Sequence, residues 1–321
     1  MYKASATFAV PLSPLSAITP ESTSRRRRTP IPAIAVFARA PVGGHAKTRL
    51  IPLLGAQAAA GFQAALISDT LRKVARLKGC VQPYLFLTGH SIPFHGSAVQ
   101  ASGPLLCIWT GHRKSRGPQI RPAAQSLRAA GRGSALPAYA PPHIGEFRAI
   151  RQKGKGLGER LANAFRTLLR CHPSCVVIGT DSPLFPARIL RQALRELHTC
   201  ESVLGRCPDG GYYLIALRRP ANPGRLRGIF RKVRWGTAFA FSDTLRNLLR
   251  LGLSCSLLEE CADVDLPRDF QRLKKNLSRD RTARRLAPAT WRFLKGSAVR
   301  CKNPARDSAQ LTGIPHGPLP F

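Results

Sequence analysis

The chain has 321 residues, 44 % of them apolar, enough for one large packed domain or two smaller ones. It contains no run of eighteen apolar residues, which excludes a conventional membrane-spanning helix. Its 51 Lys and Arg against 16 Asp and Glu give a formal charge of +35, so the composition points to anionic substrates, anionic surfaces or nonspecific nucleic-acid binding, or to basic surface and tail residues with no specific partner.

Residues 1–30 are rich in Ser, Ala, Pro and Thr and end in the basic cluster Arg25 to Arg28. That order is the reverse of a secretory signal, so the segment is expected to be a disordered leader or an organellar presequence on an otherwise cytoplasmic protein. Ile31 to Phe37 is a continuous apolar run, the pattern of a strand buried on both faces. The loop FARAPVGGHAKTRL follows and brings Arg39, Lys47 and Arg49 together around Gly43 and Gly44. Arginine can grip a phosphate through two parallel donors, lysine acts as a point charge, and glycines let the backbone approach closely. The order is not that of a P-loop, and a merely solvated basic loop would look the same. Ala56 to Leu77 reads as a helix and Val81 to Thr88 as a strand.

From Gly89 to about Arg151 the periodicity fades into Pro, Gly, Ser and Arg, with a brief apolar break at Leu105 to Trp109. We expect an insertion over about 90–151. Order returns with a helix at Leu157 to Leu169, a strand at Cys175 to Gly179 and a helix from Pro186 to Leu197. Two strands, Val203 to Gly205 and Tyr212 to Leu217, flank the turn PDGG. A helix at Phe239 to Leu249, a strand at Ser254 to Leu258 and a helix at Pro267 to Leu277 complete the pattern; 279–321 is expected to be a poorly ordered basic tail. Alternating strands and helices over 31–278 predict an α/β domain with an open, mostly parallel sheet and helices on both faces. Such sheets bind ligands beyond the carboxyl ends of their strands.

Several acids fall at those ends. Asp181, in GTDSP, could hold a divalent metal against phosphate oxygens or cap the next helix. In PDGGYY, Asp209 could accept a proton or a sugar hydroxyl, with Gly210, Gly211 and Tyr212 around it; a hairpin turn explains half of that motif. Asp263 and Asp265, two apart in ADVDLP, share one face of an extended stretch, as a metal or base site would need. Asp269 belongs in the first turn of the helix behind them. Trp235, in WGT, is core or pocket wall, and Thr237 is a natural helix cap. Nine scattered cysteines do not form a disulfide framework. In Cys171-His172-Pro173-Ser174-Cys175 the thiols read as core residues rather than zinc ligands.

Together these blocks resemble a family of bacterial-type transferases with the nucleotide-diphospho-sugar transferase (GT-A, Rossmann-like) fold. Its members are labelled arsenosugar-biosynthesis glycosyltransferases or radical-SAM/selenodomain-associated transferases, formerly a domain of unknown function. The resemblance runs through FARAPVGGHAKTRLIPLLGAQAAAGFQAALISDT, GTDSP, VLGRCPDGGYYLIAL, WGT and DVDLPRDF. It implies a nucleotide-sugar donor, a small-molecule acceptor and Mg2+ or Mn2+. It places Arg39, Lys47 and Arg49 at the phosphates with Gly43 and Gly44, and Asp181 at the metal with Asp265. It makes Asp209, Gly210 and Gly211 part of the donor-sugar or acceptor pocket, and Asp263 and Asp265 a second acidic site near the metal. With the residue reading, Asp209, Asp263 and Asp265 are expected to be catalytic and Tyr212 and Trp235 to line the pocket. The chain departs from the family where Gly43 replaces a proline and where Gly156 replaces an acid in QKGKGLGER. It departs again at Arg206-Cys207, where the family tends to have Pro-Ala. The expected function is metal-dependent glycosyl transfer. The alternatives are a nucleotidyltransferase releasing pyrophosphate, a nucleic-acid-binding protein and an inactive relative.

Overall fold

The computed structural model describes residues 30–88 and 147–296. The expected leader, most of the expected insertion with its apolar break at Leu105 to Trp109, and the last part of the tail lie outside them.

In chain order the elements are β1 (Ala33–Arg39), a 3-10 turn (Thr48–Leu50), α1 (Ile51–Leu54), α2 (Ala56–Ala75), β2 (Gln82–Thr88), β3 (Arg148–Arg151) and α3 (Leu157–Leu168). There follow β4 (Ser174–Ile178), α4 (Arg188–Thr199), β5 (Ser202–Arg206), β6 (Tyr212–Arg218), α5 (Arg225–Ile229), α6 (Ala240–Arg250) and β7 (Cys255–Leu258). Three helices close the described chain: α7 (Pro267–Arg279), α8 (Arg281–Leu286) and α9 (Pro288–Gly296). The seven strands form one sheet in the order β3-β2-β1-β4-β6-β5-β7. All neighbouring pairs are parallel except the two that involve β6.

The mostly parallel α/β sheet expected from the sequence is therefore the fold. Its continuous apolar strands follow from cover on both faces. Ile34, Val36 and Ala38 of β1 join one core with α2 and α4, while Ala33, Ala35 and Phe37 join the opposite core with α3, α5 and α6. The exception, β6, has a local cause. Only Cys207 to Gly211 separates it from β5, too short for a crossover, so the two strands must run antiparallel. Gly210 makes that turn possible. Its φ is +86°, and a Cβ there would lie 2.0 Å from the Ala238 carbonyl oxygen.

Three expectations are corrected. The edge strand β3 occupies 148–151, inside the segment read as insertion; four residues, mostly exposed, leave little periodicity to read. The helix expected from Pro186 starts at Arg188 with Ala187 as its cap. The tail expected to be poorly ordered from 279 continues as α8 and α9 through Gly296. The reason is a long-range cap. The fully buried carboxylate of Asp69, on α2, accepts from Ala289 N (2.8 Å) and Thr290 N (2.9 Å), satisfying the first turn of α9. Phe293 packs near Phe62 of α2 in the same apolar cluster as Phe270 and Leu277. Among the described residues no helix is long and apolar enough to cross a membrane.

Candidate active site

The carboxyl ends of β1, β4, β5 and β7 converge on one cleft of about 530 Å3. The loop after β1 enters it first. Leu50, fully buried, anchors the loop's far end, and Lys47 stands before it in the left-handed conformation with φ +47°. Its side chain, 5 % exposed, donates to Asp265 Oδ1 at 2.9 Å and the Val264 carbonyl at 2.7 Å and forms an ion pair with Asp181 Oδ1 at 2.7 Å. Burial opposes the Lys47 charge, yet the two carboxylates outweigh it and hold the pKa above the ordinary lysine value. Asp265 shows the reverse. Burial alone would raise its pKa, but Lys47, with Arg49 and Arg39 behind it, holds it below the usual carboxylate range.

The loop after β4 is fixed from two sides. Gln63 of α2 donates to Thr180 Oγ1 at 3.2 Å, and the Asp181 carbonyl accepts from Val264 N at 2.9 Å. Asp181 therefore sits beside the 263–265 segment and does not cap α4. Asp209 stands in the β5–β6 turn, where its Oδ1 accepts from Gly211 N at 2.8 Å. Asp263 is half-buried. Desolvation first, then the charges of Asp209 and Asp265, push its carboxyl up to about 6. The ligand atoms of Cys207, Asp209 and Asp263 lie within 4.8 Å of one another. The Cys207 thiol is buried among these acids and its pKa is driven well above the thiol range, so it stays protonated.

Tyr212 and Trp235 form the apolar wall, their rings 6.1 Å apart in an edge-to-face arrangement. Gly158, at the start of α3, lies against the Trp235 indole: a Cβ there would come within 2.9 Å of its Nε1. The structure thus brings Arg39, Lys47, Arg49, Asp181, Asp209, Gly211, Tyr212, Trp235, Asp263 and Asp265 to a single cleft. Gly43, Gly44 and Gly210 are not part of its wall. Gly44 turns the loop with φ +81°, and Gly210 shapes the hairpin. Asp269 accepts from Leu266 N at 2.9 Å in the first turn of α7, as expected. Thr237 lies two residues before the actual cap of α6, Phe239, whose N–H its hydroxyl accepts at 3.2 Å. Cys175 is a core thiol, and His172 is tied to Tyr84 and to the Ile31 carbonyl.

Sequence reasoning missed Gln63, Ser182, Leu157 and Cys207 as cleft residues. A signal existed for Gln63, a lone amide in the apolar stretch GFQAAL. It existed for Cys207 too, one of the family departures. Ser182 is 3 % exposed and its hydroxyl has no hydrogen-bond partner.

The residues fit a hard divalent cation. The acids supply oxygen donors, the one thiol among them is protonated, and the Asp263 carboxyl, raised first by burial and then by the charges of Asp209 and Asp265, stands among like charges. Asp181 and Asp265, the expected metal pair, are joined by Lys47, whereas the tightest potential ligand set is Cys207, Asp209 and Asp263.

The fold is an α/β sheet, mostly parallel, with a polar cleft at the strand ends. Residues 121–237 match the model of the family described as "Uncharacterized protein conserved in bacteria (DUF2064)". The family resemblance read from the sequence is borne out over a stretch containing GTDSP, PDGGYY and WGT. A candidate nucleotide-diphospho-sugar transferase from Desulfovibrio desulfuricans G20 is 22 % identical with a TM-score of 0.58. The match covers 82 % of this chain and 96 % of that one. A cytidylyltransferase from Leptospira borgpetersenii is 14 % identical with a TM-score of 0.43, over 90 % of this chain and all of the other. A 4-diphosphocytidyl-2C-methyl-D-erythritol synthase from Anaerococcus prevotii is 9 % identical with a TM-score of 0.42, over 78 % and 99 %. No curated protein matches the chain.

Proposed function

We propose that this protein is a metal-dependent glycosyltransferase that moves a sugar from a nucleoside-diphosphate sugar to a small acceptor. The observation that carries the reading is the meeting of Lys47, Asp181 and Asp265 in a cleft whose rim also bears Arg39 and Arg49. Cations that suit a diphosphate and carboxylates that suit a metal thus lie within one ligand's span.

In this reading Arg39 and Arg49 hold the diphosphate oxygens, and Lys47 adds a point charge. Asp181 and Asp265 hold Mg2+ or Mn2+, which when bound neutralises charge on the leaving diphosphate. Tyr212 and Trp235 offer flat apolar surfaces to a sugar or base. Asp263 is the acceptor-side base: with a pKa of about 6 it is ionised at neutral pH yet basic enough to take a hydroxyl proton. Asp209, locked by Gly211, orients the acceptor.

The test is a panel of nucleoside-diphosphate sugars and nucleoside triphosphates incubated with Mn2+ or Mg2+, with products separated. Release of a nucleoside diphosphate from at least one sugar donor is expected. Release of pyrophosphate from a triphosphate would assign nucleotidyl transfer instead. No product and no nucleotide binding across the panel would overturn both.

A further inference from the structure

We propose that Lys47 is a tethered counter-ion that closes the Asp181–Asp265 pair in the ligand-free protein: its ammonium and a divalent cation exclude each other there, and the donor diphosphate opens the metal site by drawing Lys47 away. The inference rests on the reading of the cleft given above and adds an order to its assembly.

Three observations carry it. The Lys47 ammonium donates to Asp265 Oδ1 and the Val264 carbonyl and pairs with Asp181 Oδ1 at 2.7 Å. Taking a phosphate oxygen would draw it from these partners. Second, the cation lies beneath the acids: its side chain is 5 % exposed, theirs 45 % and 41 %. A divalent ion approaching the same pair would meet a positive charge at hydrogen-bond distance of two of its intended ligands. Third, Lys47 holds a left-handed backbone, which only one other non-glycine residue, Lys232, adopts among the described residues. Such a conformation is disfavoured for a side-chain-bearing residue and persists when its surroundings enforce it. Here the enforcing contacts are those of the ammonium and the Leu50 N–H on the Lys47 carbonyl at 2.8 Å. Breaking the ion pair relieves that constraint.

Diphosphate and metal then assist each other. A diphosphate gives Lys47 a new anionic partner, and the vacated carboxylates gain a cation that also neutralises the diphosphate. Asp263, Asp209 and the unpartnered Ser182 hydroxyl stand beside the opened pair.

The deciding experiment measures Mn2+ binding by nucleotide-free protein, using the electron paramagnetic resonance signal of free Mn2+. Lys47→Met is expected to bind Mn2+ about tenfold tighter than wild type, because two carboxylates lose their internal counter-charge. Equal or weaker binding overturns the proposal. A second measurement needs no variant: acetylation of lysines by an N-hydroxysuccinimide ester, read by mass spectrometry. In wild type, saturating Mn2+ should raise Lys47 labelling several-fold and leave exposed Lys274 on α7 unchanged. Labelling of Lys47 that does not respond overturns the idea even if Lys47→Met fails to fold. Neither measurement contains nucleotide. Failure of the sugar-nucleotide panel would therefore end the functional reading without deciding the lock, and the reverse also holds.

Discussion

Lys47 and Lys73 both carry an ammonium out of solvent, one at the strand ends and one between α2 and the 183–185 loop, and their surroundings drive them in opposite directions. Lys47 has two carboxylates within 2.9 Å and is held charged. Lys73, 3 % exposed, donates to the Pro183 carbonyl and lies 4.3 Å from the centre of the Phe185 ring. Burial dominates there and lowers its pKa to about 8, against a weaker pull from Asp69. Asp69 is largely committed elsewhere, to the N-terminus of α9. The difference is one of surplus. On α2 one acid holds the start of α9 and one base holds the 183–185 loop. In the cleft four acids face one buried lysine with Arg39 and Arg49 on the rim, and charges of both signs are left for a ligand to use. Burial of a charge thus says little by itself; the ratio of its partners separates a structural site from a binding site.

Changes that unbalance the α9 region should act on stability and spare binding. Asp69→Ala removes the cap of α9 and the counter-charge of Lys73 together. A loss of about 4 kcal/mol is expected in urea unfolding, and a loss below 1 kcal/mol would mean that α9 is held by its apolar face alone. Lys73 sets a pH signature. Its folded pKa of about 8 lies below the unfolded 10.5, so between those values the unfolded chain binds more protons and stability rises with pH. Across pH 8 to 10.5 wild type should gain up to ~3 kcal/mol relative to Lys73→Met. A flat difference would place Lys73 in a wetter environment. On the cleft side, Arg39→Gln should weaken nucleotide binding about tenfold with an unchanged melting temperature; a changed melting temperature with full binding would reverse the contrast. The smallest effect belongs to Arg188→Gln, which breaks an exposed pair with Glu259 at 2.9 Å. That change should cost under ~1 kcal/mol and leave binding intact, as thermal melts and titrations would record.

The uneven legibility of the sequence has the same physical root. Local signals served where neighbours in sequence decide the structure. The apolar run at β1 and the helix over α3 read correctly because their buried faces repeat along the chain, whereas α4 starts two residues after the expected Pro186. The PDGG turn was readable because only glycine tolerates φ +86° beside Ala238. α9 was not readable: its cap comes from Asp69, 220 residues earlier. Nor was β3, an edge strand whose order depends on β2. In the cleft, the basic loop and the acids stood out because each motif offers charge next to a predicted strand end. The pairing of Lys47 with Asp181 and Asp265 joins residues 134 and 218 positions apart, and no local pattern encodes it. Asp263 and Asp265 were grouped correctly by their alternation in an extended stretch, but their opposite pKa shifts depend on which of them Lys47 reaches.

The central claim is that a diphosphate and a divalent cation share the cleft through Asp181. Calorimetric titration of wild type and Asp181→Asn with a panel of nucleoside diphosphates, with and without Mn2+, tests it most directly. The account predicts binding that wild type shows with Mn2+ and that Asp181→Asn loses by at least about a hundredfold, while both proteins melt at nearly the same temperature. Equal, metal-independent affinity in the two proteins would contradict it.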